Sequence, residues 1–396
     1  MFYNTTKRKG HEDMKAFEFH TTKSVIVERG AAAQLADRIR DMACQSVMIV
    51  SDPGVVKAGL LDATLANFRN LNIQVSVFAD VVADPPESVI LSGIEAAQQQ
   101  CADCIIGFGG GSSMDVAKLI ALLANNEQTL AEVYGVNAAK GQRLSLVLIP
   151  TTAGTGSEVT AIAIVTTGEN EKKGVVSPLL LPDIALLDAE LTIGLPSHVT
   201  AATGIDAMVH AIEAFTSKRL KNPISDSLAK DALRLLSANI HTACQHGDNI
   251  QARENMLLGS CLAGMAFANA PVGGVHALAY PVGARFHVPH GLSNSLMLNA
   301  VLRFNLRDAE HMYAELADVV FPAATGAPQI RALSLLNYLK DLAGELGIAK
   351  SLREVGISED DIAQLAEDAM KQSRLLINNP REIHLADATA LYKESL

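Results

Sequence analysis

The first half of the chain alternates short runs of hydrophobic, often β-branched residues with longer stretches in which hydrophobic residues recur at helical spacing. The short runs predict strands, each bounded by Gly, Pro or Asp: SVIVERG, SVMIVSD, IQVSVFAD, CIIGFGGG, LSLVLIPTT and IAIVTT. The stretches between them predict helices: AAAQLADRIRDMA, LLDATLANFRNL, ESVILSGIEAAQQQ and MDVAKLIALLAN. Strands that alternate with helices predict a parallel sheet covered by helices on both faces.

The pattern changes after Leu195-Pro196, where strand signals disappear and helical periodicity continues in segments such as HVTAATGIDAMVHAIEAFTS. We therefore predict an α/β dinucleotide-binding domain over residues 15–193 and an all-helical domain over residues 194–396. Two domains also suit a chain of 396 residues, because single cores stop growing at roughly 250–300 residues. Residues 1–14 are expected to be a loose polar tail, with Met14 as a candidate start of the folded part.

Composition and charge narrow the classes of function. A formal net charge of -11 argues against nucleic acid as a partner, since phosphates require a basic face, and it does not favour an anionic membrane surface. No segment approaches the roughly 20 apolar residues of a membrane span. The five cysteines are an odd and scattered set, unlike the disulfide framework of a secreted protein. We therefore expect a cytoplasmic protein.

Two glycine-rich turns that follow predicted strands are candidates for nucleotide binding, GFGGGSSMDVAK and IPTTAGTGSEVT. In an open parallel sheet, ligands bind beyond the carboxyl ends of the strands, where free N–H groups at a helix start hold phosphate. Glycine also serves backbone geometry alone, so that alternative stays open. The two turns supply these candidate contacts: Gly109, Gly110, Gly111, Ser112, Asp115, Thr151, Thr152, Thr155 and Ser157.

Asp52 ends an earlier strand, in VMIVSDPG, where a carboxylate can accept both hydroxyls of an adenosine ribose. Such an acid repels a 2′-phosphate and favours NAD over NADP. The order is unusual, because the acid precedes the glycine-rich turn instead of following it. An aspartate that caps the helix at Pro53-Gly54 is an equally good interpretation.

Asp206 and His210 lie four residues apart on a strong helical pattern, so both side chains project from one face. His276 and His290 follow in glycine- and proline-rich surroundings. One oxygen and three nitrogen ligands suit iron(II), zinc or a similar ion. His287 competes with His290, and any single histidine can instead be structural.

The remaining thiols and imidazoles are interpreted as structural or exposed. Cys101 and Cys104 form a CxxC pair without a second pair, which favours buried structural thiols. Five further histidines are expected at the surface: His198, His241, His246, His311 and His384.

Four segments, IPTTAGTGSEVT, GIDAMVHAIEAF, MAFANAPVGGVHALAYPVG and FHVPHGLSN, resemble the signature segments of the iron-containing (group III) alcohol dehydrogenases. The similarity runs from about Phe17 to the NPREI segment. It implies a dinucleotide domain, a helical domain and a metal in the cleft between them, with iron(II) as the expected ion and zinc as the alternative. The implied ligands are Asp206, His210, His276 and His290, a set that metal-free relatives such as maleylacetate reductases lack.

The resemblance also implies contacts with the cofactor, and it supports NAD through the position of Asp52. It places the pyrophosphate on Gly110, Gly111 and Ser112, lines the cofactor with Thr151, Thr152 and Thr155, brings Lys173 to its ribose and packs Leu191 nearby. Two positions depart from the family pattern. Tyr280 replaces a histidine that is the usual candidate for relaying the alcohol proton, and the family's Asn-Pro-Thr turn becomes Asp84-Pro85-Pro86, where Asp84 is still expected to contact the cofactor.

The sequence therefore predicts a metal-dependent oxidoreductase that transfers hydride between NAD and a small primary alcohol or aldehyde. His276 and Tyr280 are its candidate catalytic residues, and Phe267 is either part of the substrate wall or part of the core. A homo-oligomer, at least a homodimer, is expected by analogy, with FEFHTTKSVIVE as a candidate pairing surface.

Two alternatives stay open. One is a hydroxyacid–oxoacid transhydrogenase or a 4-hydroxybutyrate-type dehydrogenase of the same superfamily, with Arg285 as the anchor for the substrate carboxylate. The other is a nucleotide-binding protein without catalytic activity.

Overall fold

The computed structural model describes residues 16–168 and 171–396, so the predicted tail, residues 1–14, and its candidate start Met14 lie outside the described residues. The strands are β1 (Ser24–Val27), β2 (Ser46–Val50), β3 (Gln74–Phe78), β4 (Cys104–Gly109), β5 (Gly135–Val136), β6 (Ser145–Pro150), β7 (Ile162–Thr167), β8 (Glu171–Val176) and β9 (Ile184–Leu187). The helices between them are α1 (Leu35–Asp41), α2 (Pro53–Lys57), α3 (Asp62–Asn70), α4 (Glu87–Gln99) and α5 (Gly111–Leu123).

Six of these strands form one parallel sheet, in the order β1-β9-β6-β4-β2-β3. The sheet is buried on both faces, as β2 illustrates. Val47 and Ile49 pack into the cluster that contains α1 and α3, whereas Met48 and Val50 pack into the cluster that contains α4 and α5. This alternation follows from the two-residue period of a strand and confirms the predicted parallel sheet with helices on both faces.

A second sheet of three strands, β5-β8-β7, lies beside the first. The predicted strand IAIVTT is β7, but it pairs antiparallel with β8 rather than joining the parallel sheet. The sequence prediction missed β5, β8 and β9. These strands have two, six and four residues, and β8 (EKKGVV) is half charged, so their hydrophobic runs are too short to stand out.

After β9 the described chain contains no further strand. It forms α6 (Ser197–Thr216), α7 (Pro223–Gln245), α8 (Ile250–Asn269), α9 (Gly274–Phe286), α10 (His290–Val320), α11 (Pro328–Glu345), α12 (Ile362–Met370), α13 (Ser373–Leu376) and α14 (Leu385–Glu394). These helices share one hydrophobic cluster. The predicted helical second half is thus confirmed, and the domain division at residue 193 stays a prediction.

Two further findings concern membranes and thiols. Among the described residues no single helix is long and apolar enough to cross a membrane, while one bent pair, α8 with α9, meets that test by length and composition only. All five cysteines are free. Cys104 is buried as expected, but Cys101 is exposed in a turn with a φ of 50°, so the prediction of two buried thiols was wrong for Cys101.

Candidate active site

Three helices bring together the four residues that the sequence singled out as metal ligands. Asp206 and His210 lie one turn apart on α6, His276 is the third residue of α9, and His290 is the first residue of α10. Each offers one ligand atom, and these atoms all lie within 4.8 Å of one another. Asp206, His210 and His276 are buried, whereas His290 is partly open. The cluster therefore has one accessible side.

Close helix packing explains this convergence. A Cβ on Gly291 would lie 2.5 Å from the carbonyl oxygen of Ala202 and 3.3 Å from Cβ of Asp206, so α10 starts directly against α6 only because residue 291 is glycine. The competing His287 is exposed at the end of α9 with a φ of 55°. The structure thus brings His290, and not His287, to the cluster.

Hydrogen bonds orient two of the imidazoles. Nδ1 of His210 lies 3.2 Å from the carbonyl oxygen of Gly154, and Nδ1 of His276 lies 2.6 Å from Oε2 of Glu213. Both Nε2 atoms consequently face the same point and lie 3.0 Å apart. Glu213 is fixed in turn, because its Oε1 accepts the N–H of Val275 at 2.7 Å. A carboxylate behind a ligating histidine sets the tautomer that exposes Nε2.

The protonation of the cluster suits a cation. Burial, helped by the neighbouring His276, holds the pKa of His210 well below its usual value. Burial also lowers the pKa of His290 to about 3, although the charge of Asp206 opposes it. Metal ligation requires neutral imidazoles, and the lowered pKa values of His210 and His290 favour that form.

Asn294 completes the surroundings of the cluster. Its Nδ2 lies 2.6 Å from Oδ1 of Asp206, 3.1 Å from Nε2 of His276 and 3.3 Å from Nε2 of His290. Its Oδ1 is buried and has no hydrogen-bond partner in the described part of the chain. An orphaned buried oxygen beside one carboxylate and three nitrogen donors is a chemical setting that a divalent cation fits.

The cluster opens into a cleft of about 1060 Å³, open solvent at its mouth included. The ring of Phe267 stacks on His210 with centroids 4.3 Å apart, and the ring of Tyr280 lies 5.8 Å from that of His290. Of the residues singled out from the sequence, the wall of the cleft contains Asp84, Gly111, Ser112, Asp115, Thr155, Ser157, His210, Phe267, His276, Tyr280 and His290. It does not contain Asp52, Gly109, Gly110, Thr151, Thr152, Lys173, Leu191 or Arg285.

The far end of the cleft lies at the glycine-rich turn between β4 and α5. The chain order reverses between β2 and β4, which is where open α/β sheets bind nucleotides. A Cβ on Gly110 would meet nothing closer than Thr152 Oγ1 at 3.8 Å, so there is open space beside this residue. Gly109 has a φ of 153°, and a Cβ there would overlap Ser113. The turn therefore fits a cradle for phosphate at the start of a helix.

Asp52 lies at the edge of this cradle, and the structure shows the helix-capping role. Its Oδ1 caps α2 by accepting the N–H groups of Gly54 and Val55 at 2.9 and 3.0 Å. Its Oδ2 lies 3.3 Å from Oγ of Ser113, at the start of α5. The capping role is present, and the contact with a ribose stays a prediction. Leu191 packs in the core cluster with β2 and β4.

Two predicted cofactor contacts are engaged by the protein itself. Oδ1 of Asp115 accepts a hydrogen bond from the hydroxyl of Ser157 at 2.6 Å, and its Oδ2 accepts one from the N–H of Ile164 at 3.0 Å. The fully buried Lys118, which the sequence reasoning did not use, donates to Ser157 Oγ at 2.7 Å and to the carbonyl oxygen of Ile162 at 2.7 Å. This network ties α5 to the second sheet and holds the cradle in place.

The predicted approach of Lys173 to the cofactor needs a correction by one residue. Lys173 lies 3.8 Å from Oε2 of Glu171 and outside the cleft, whereas Lys172 lines the cleft. Neighbouring residues of a strand point to opposite faces, so only one of the two lysines can face inward. Nζ of Lys172 pairs with Oδ1 of Asp84 at 2.6 Å, which balances the negative charge that the altered Asp84 turn adds.

Two profiles of one known protein family match this chain. The chain matches the profile of the iron-containing alcohol dehydrogenases over residues 22–189. It matches the profile of the C-terminal part of the Fe-containing alcohol dehydrogenase family over residues 200–396. The chain belongs to the iron-containing alcohol dehydrogenase family. The resemblance stated from four sequence segments is thereby confirmed.

Individual relatives of this family member are similar over nearly their whole length. Long-chain-alcohol dehydrogenase 1 of Geobacillus thermodenitrificans is 38% identical, with 92% of this chain and 93% of that protein covered. Sulfoacetaldehyde reductase of Bilophila wadsworthia is 36% identical, with 92% and 95% covered. Among solved structures, a 1,3-propanediol oxidoreductase has a TM-score of 0.93 at 33% identity, covering 96% of this chain and 100% of that one.

A further solved structure was determined with a cofactor. Sulfoacetaldehyde reductase from Bifidobacterium kashiwanohense, in complex with NAD+, has a TM-score of 0.85 at 28% identity and covers 96% of this chain and 98% of its own. The relatives thus share the fold but differ in the substrates that their names state.

In this member of the family, the sequence left open the roles of Tyr280 and Arg285. Burial raises the pKa of the Tyr280 phenol, which is opposite to the shift that a proton relay needs. Arg285 donates to Oδ2 of Asp368 at 2.5 Å and lies outside the cleft wall, so it is not placed to anchor a substrate carboxylate there. Arg374 lines the cleft instead.

Glu213 was missed by the sequence reasoning, although its position three residues after His210 places it on the same helical face. We expect Glu213→Gln to weaken metal binding by about 10- to 100-fold, because the amide orients His276 less well than the carboxylate. Titration of the purified protein with iron(II) against a competing chelator measures this. The exposed Glu382 provides the control, since Glu382→Gln should leave metal affinity unchanged. Equal affinities in the two variants would contradict the role of Glu213.

Proposed function

We propose that this chain is an NAD-dependent, metal-dependent dehydrogenase that interconverts small primary alcohols and aldehydes. One observation carries the proposal. Asp206, His210, His276 and His290 converge at one end of a cleft whose other end is a glycine-rich helix start. A cation site and a phosphate cradle in one cleft are the two components that this chemistry needs.

The proposed roles follow from the geometry. Bound at the cluster, a divalent cation, with iron(II) expected and zinc as the alternative, supplies Lewis-acid polarisation of the substrate oxygen. A nicotinamide cofactor held at the glycine-rich turn would supply the hydride chemistry, and the alcohol proton would leave to solvent. Phe267 and Tyr280 would form the wall that orients the carbon, and Glu213 would hold His276. Tyr280 is not proposed as the proton relay.

Several finer features belong to this proposal. NAD is preferred over NADP because the Asp52 carboxylate lies at the edge of the cradle and would repel a 2′-phosphate. A cytoplasmic location is supported by the five free cysteines. A homodimer is supported by β1, which lies at the edge of the sheet and can pair with another chain. The domain division at residue 193 is supported by the last described strand, β9, which ends at Leu187.

The experiment is an absorbance assay for NADH formation with a panel of short primary alcohols, run with NAD and then with NADP. We expect turnover with NAD and at least tenfold lower kcat/KM with NADP. A factor of about ten is the effect expected from one unfavourable charged contact. Transfer of hydride only between hydroxyacid and oxoacid, without net NADH formation, would favour the transhydrogenase alternative. Binding of NAD without turnover of any alcohol would favour the non-catalytic one.

A further inference from the structure

Two cationic side chains other than histidines line the cleft, Lys172 and Arg374. Lys172 is neutralised by Asp84. Within residues 16–168 and 171–396, no carboxylate oxygen lies within 4.0 Å of the guanidinium of Arg374, and its side chain makes no hydrogen bond to the protein. Among the described residues, Arg374 is therefore a cation of the cleft wall that forms no salt bridge.

Arg374 lines the same cleft as the candidate metal ligands His276 and His290. Arg374 is the second residue of α13, and Nη2 would lie 3.7 Å from a Cβ on Gly174 of β8. Tyr280 lines the same cleft, and its ring lies 6.3 Å from that of His276.

Polar residues such as Thr160 and Thr166 line the same cleft as Arg374, together with six hydrophobic ones: Ile162, Ile164, Phe267, Pro271, Val272 and Leu375. A guanidinium that projects into such a wall prefers a planar oxyanion, because two parallel N–H groups can donate to two oxygens at once. An entirely apolar alcohol would leave this charge facing a hydrocarbon chain.

We infer that the substrate carries an oxyanion, a carboxylate or a sulfonate, at the end opposite its reacting carbon, and that Arg374 binds this group. The inference rests on the proposed function, whose site and hydride transfer it leaves unchanged. It names the substrate class as short aldehydes, or the corresponding alcohols, with a terminal anionic group. Arg374 thereby takes the role that the sequence assigned to Arg285, because Asp368 neutralises Arg285.

The test compares substrates that differ only in charge, with the metal-loaded enzyme and NADH. Succinic semialdehyde is paired with methyl 4-oxobutanoate, and sulfoacetaldehyde with propanal. We expect the wild type to have a higher kcat/KM for the anionic member of at least one pair. Arg374→Gln should lower this preference about 10- to 100-fold, mainly through KM, as expected for a lost charge-assisted contact. Arg374→Lys should retain part of it.

Arg285→Gln is the matched control, because it removes a guanidinium that lies outside the cleft wall and should leave the preference unchanged. Equal kcat/KM within both pairs, or a preference that survives in Arg374→Gln, would overturn the inference. Turnover of methyl 4-oxobutanoate or propanal in the same experiment would leave the proposed function standing. Failure to reduce all four aldehydes would instead contradict the proposed function itself, and the inference with it.

Discussion

His276→Ala is expected to abolish NAD-linked alcohol oxidation, with kcat/KM reduced at least about a thousandfold, since Lewis-acid stabilisation contributes several kcal/mol. His276 donates one of the four converging ligand atoms, and its removal also leaves the buried Glu213 without its partner. NAD binding should stay measurable, because the cradle at Gly110 belongs to other elements. Steady-state kinetics measures kcat/KM, calorimetric titration measures NAD binding, and elemental analysis of the same preparation measures the metal content.

His287→Ala is the control for this variant, since it removes the competing histidine, which is exposed at the end of α9. We expect its activity and metal content to match the wild type. If His276→Ala kept a tenth of the wild-type kcat/KM, the assignment of His276 as a ligand would be wrong.

Removal of the metal by a chelator is expected to bring turnover below detection, and addition of iron(II) or zinc is expected to restore it. The same titration should raise the midpoint of thermal unfolding as metal is added, because an ion that binds only the folded state stabilises it. The expected stoichiometry is one ion per chain. The thermal shift is a readout that does not depend on catalysis.

Asp206→Asn serves as the matched variant for this titration, since it keeps the size of the side chain and removes its charge from the cluster. We expect its thermal shift with added metal to be smaller than that of the wild type. A metal-free wild type that stayed fully active would overturn the ligand set and favour the metal-free reductase branch of the superfamily.

The parts of the fold that follow from local pattern were predictable from the sequence. The buried strands β2 and β4 are continuous hydrophobic runs, and α6 to α8 are long segments without strand signals; all of them lie close to the expected limits. The pairing of Asp206 with His210 was also accessible, because it depends on a single helical turn. The convergence of these two residues with His276 and His290 could not be predicted from the sequence, because it depends on packing between three helices and on the contact of Gly291 with Ala202.

The errors in the site have the same origin. Whether Lys172 or Lys173 faces the cleft is decided by the register of the β7–β8 hairpin, and a shift of one residue exchanges the two faces. Arg285 is near His290 along the chain, but Asp368, from a distant helix, neutralises it. Arg374 is far from every recognised segment except NPREI, so only the folded chain shows that it reaches the cleft.

The position of β1 at the edge of the parallel sheet has a consequence for how the chain folds. Among the described residues its only partner is β9, and Ser24 pairs with Ile184, so the ribosome must release a further 160 residues before the first strand of the sheet can dock. Closing so long a loop makes this pairing a late and slow event. Until then β1 offers an unpaired edge to other nascent chains, and chaperone binding during synthesis should concentrate on this segment.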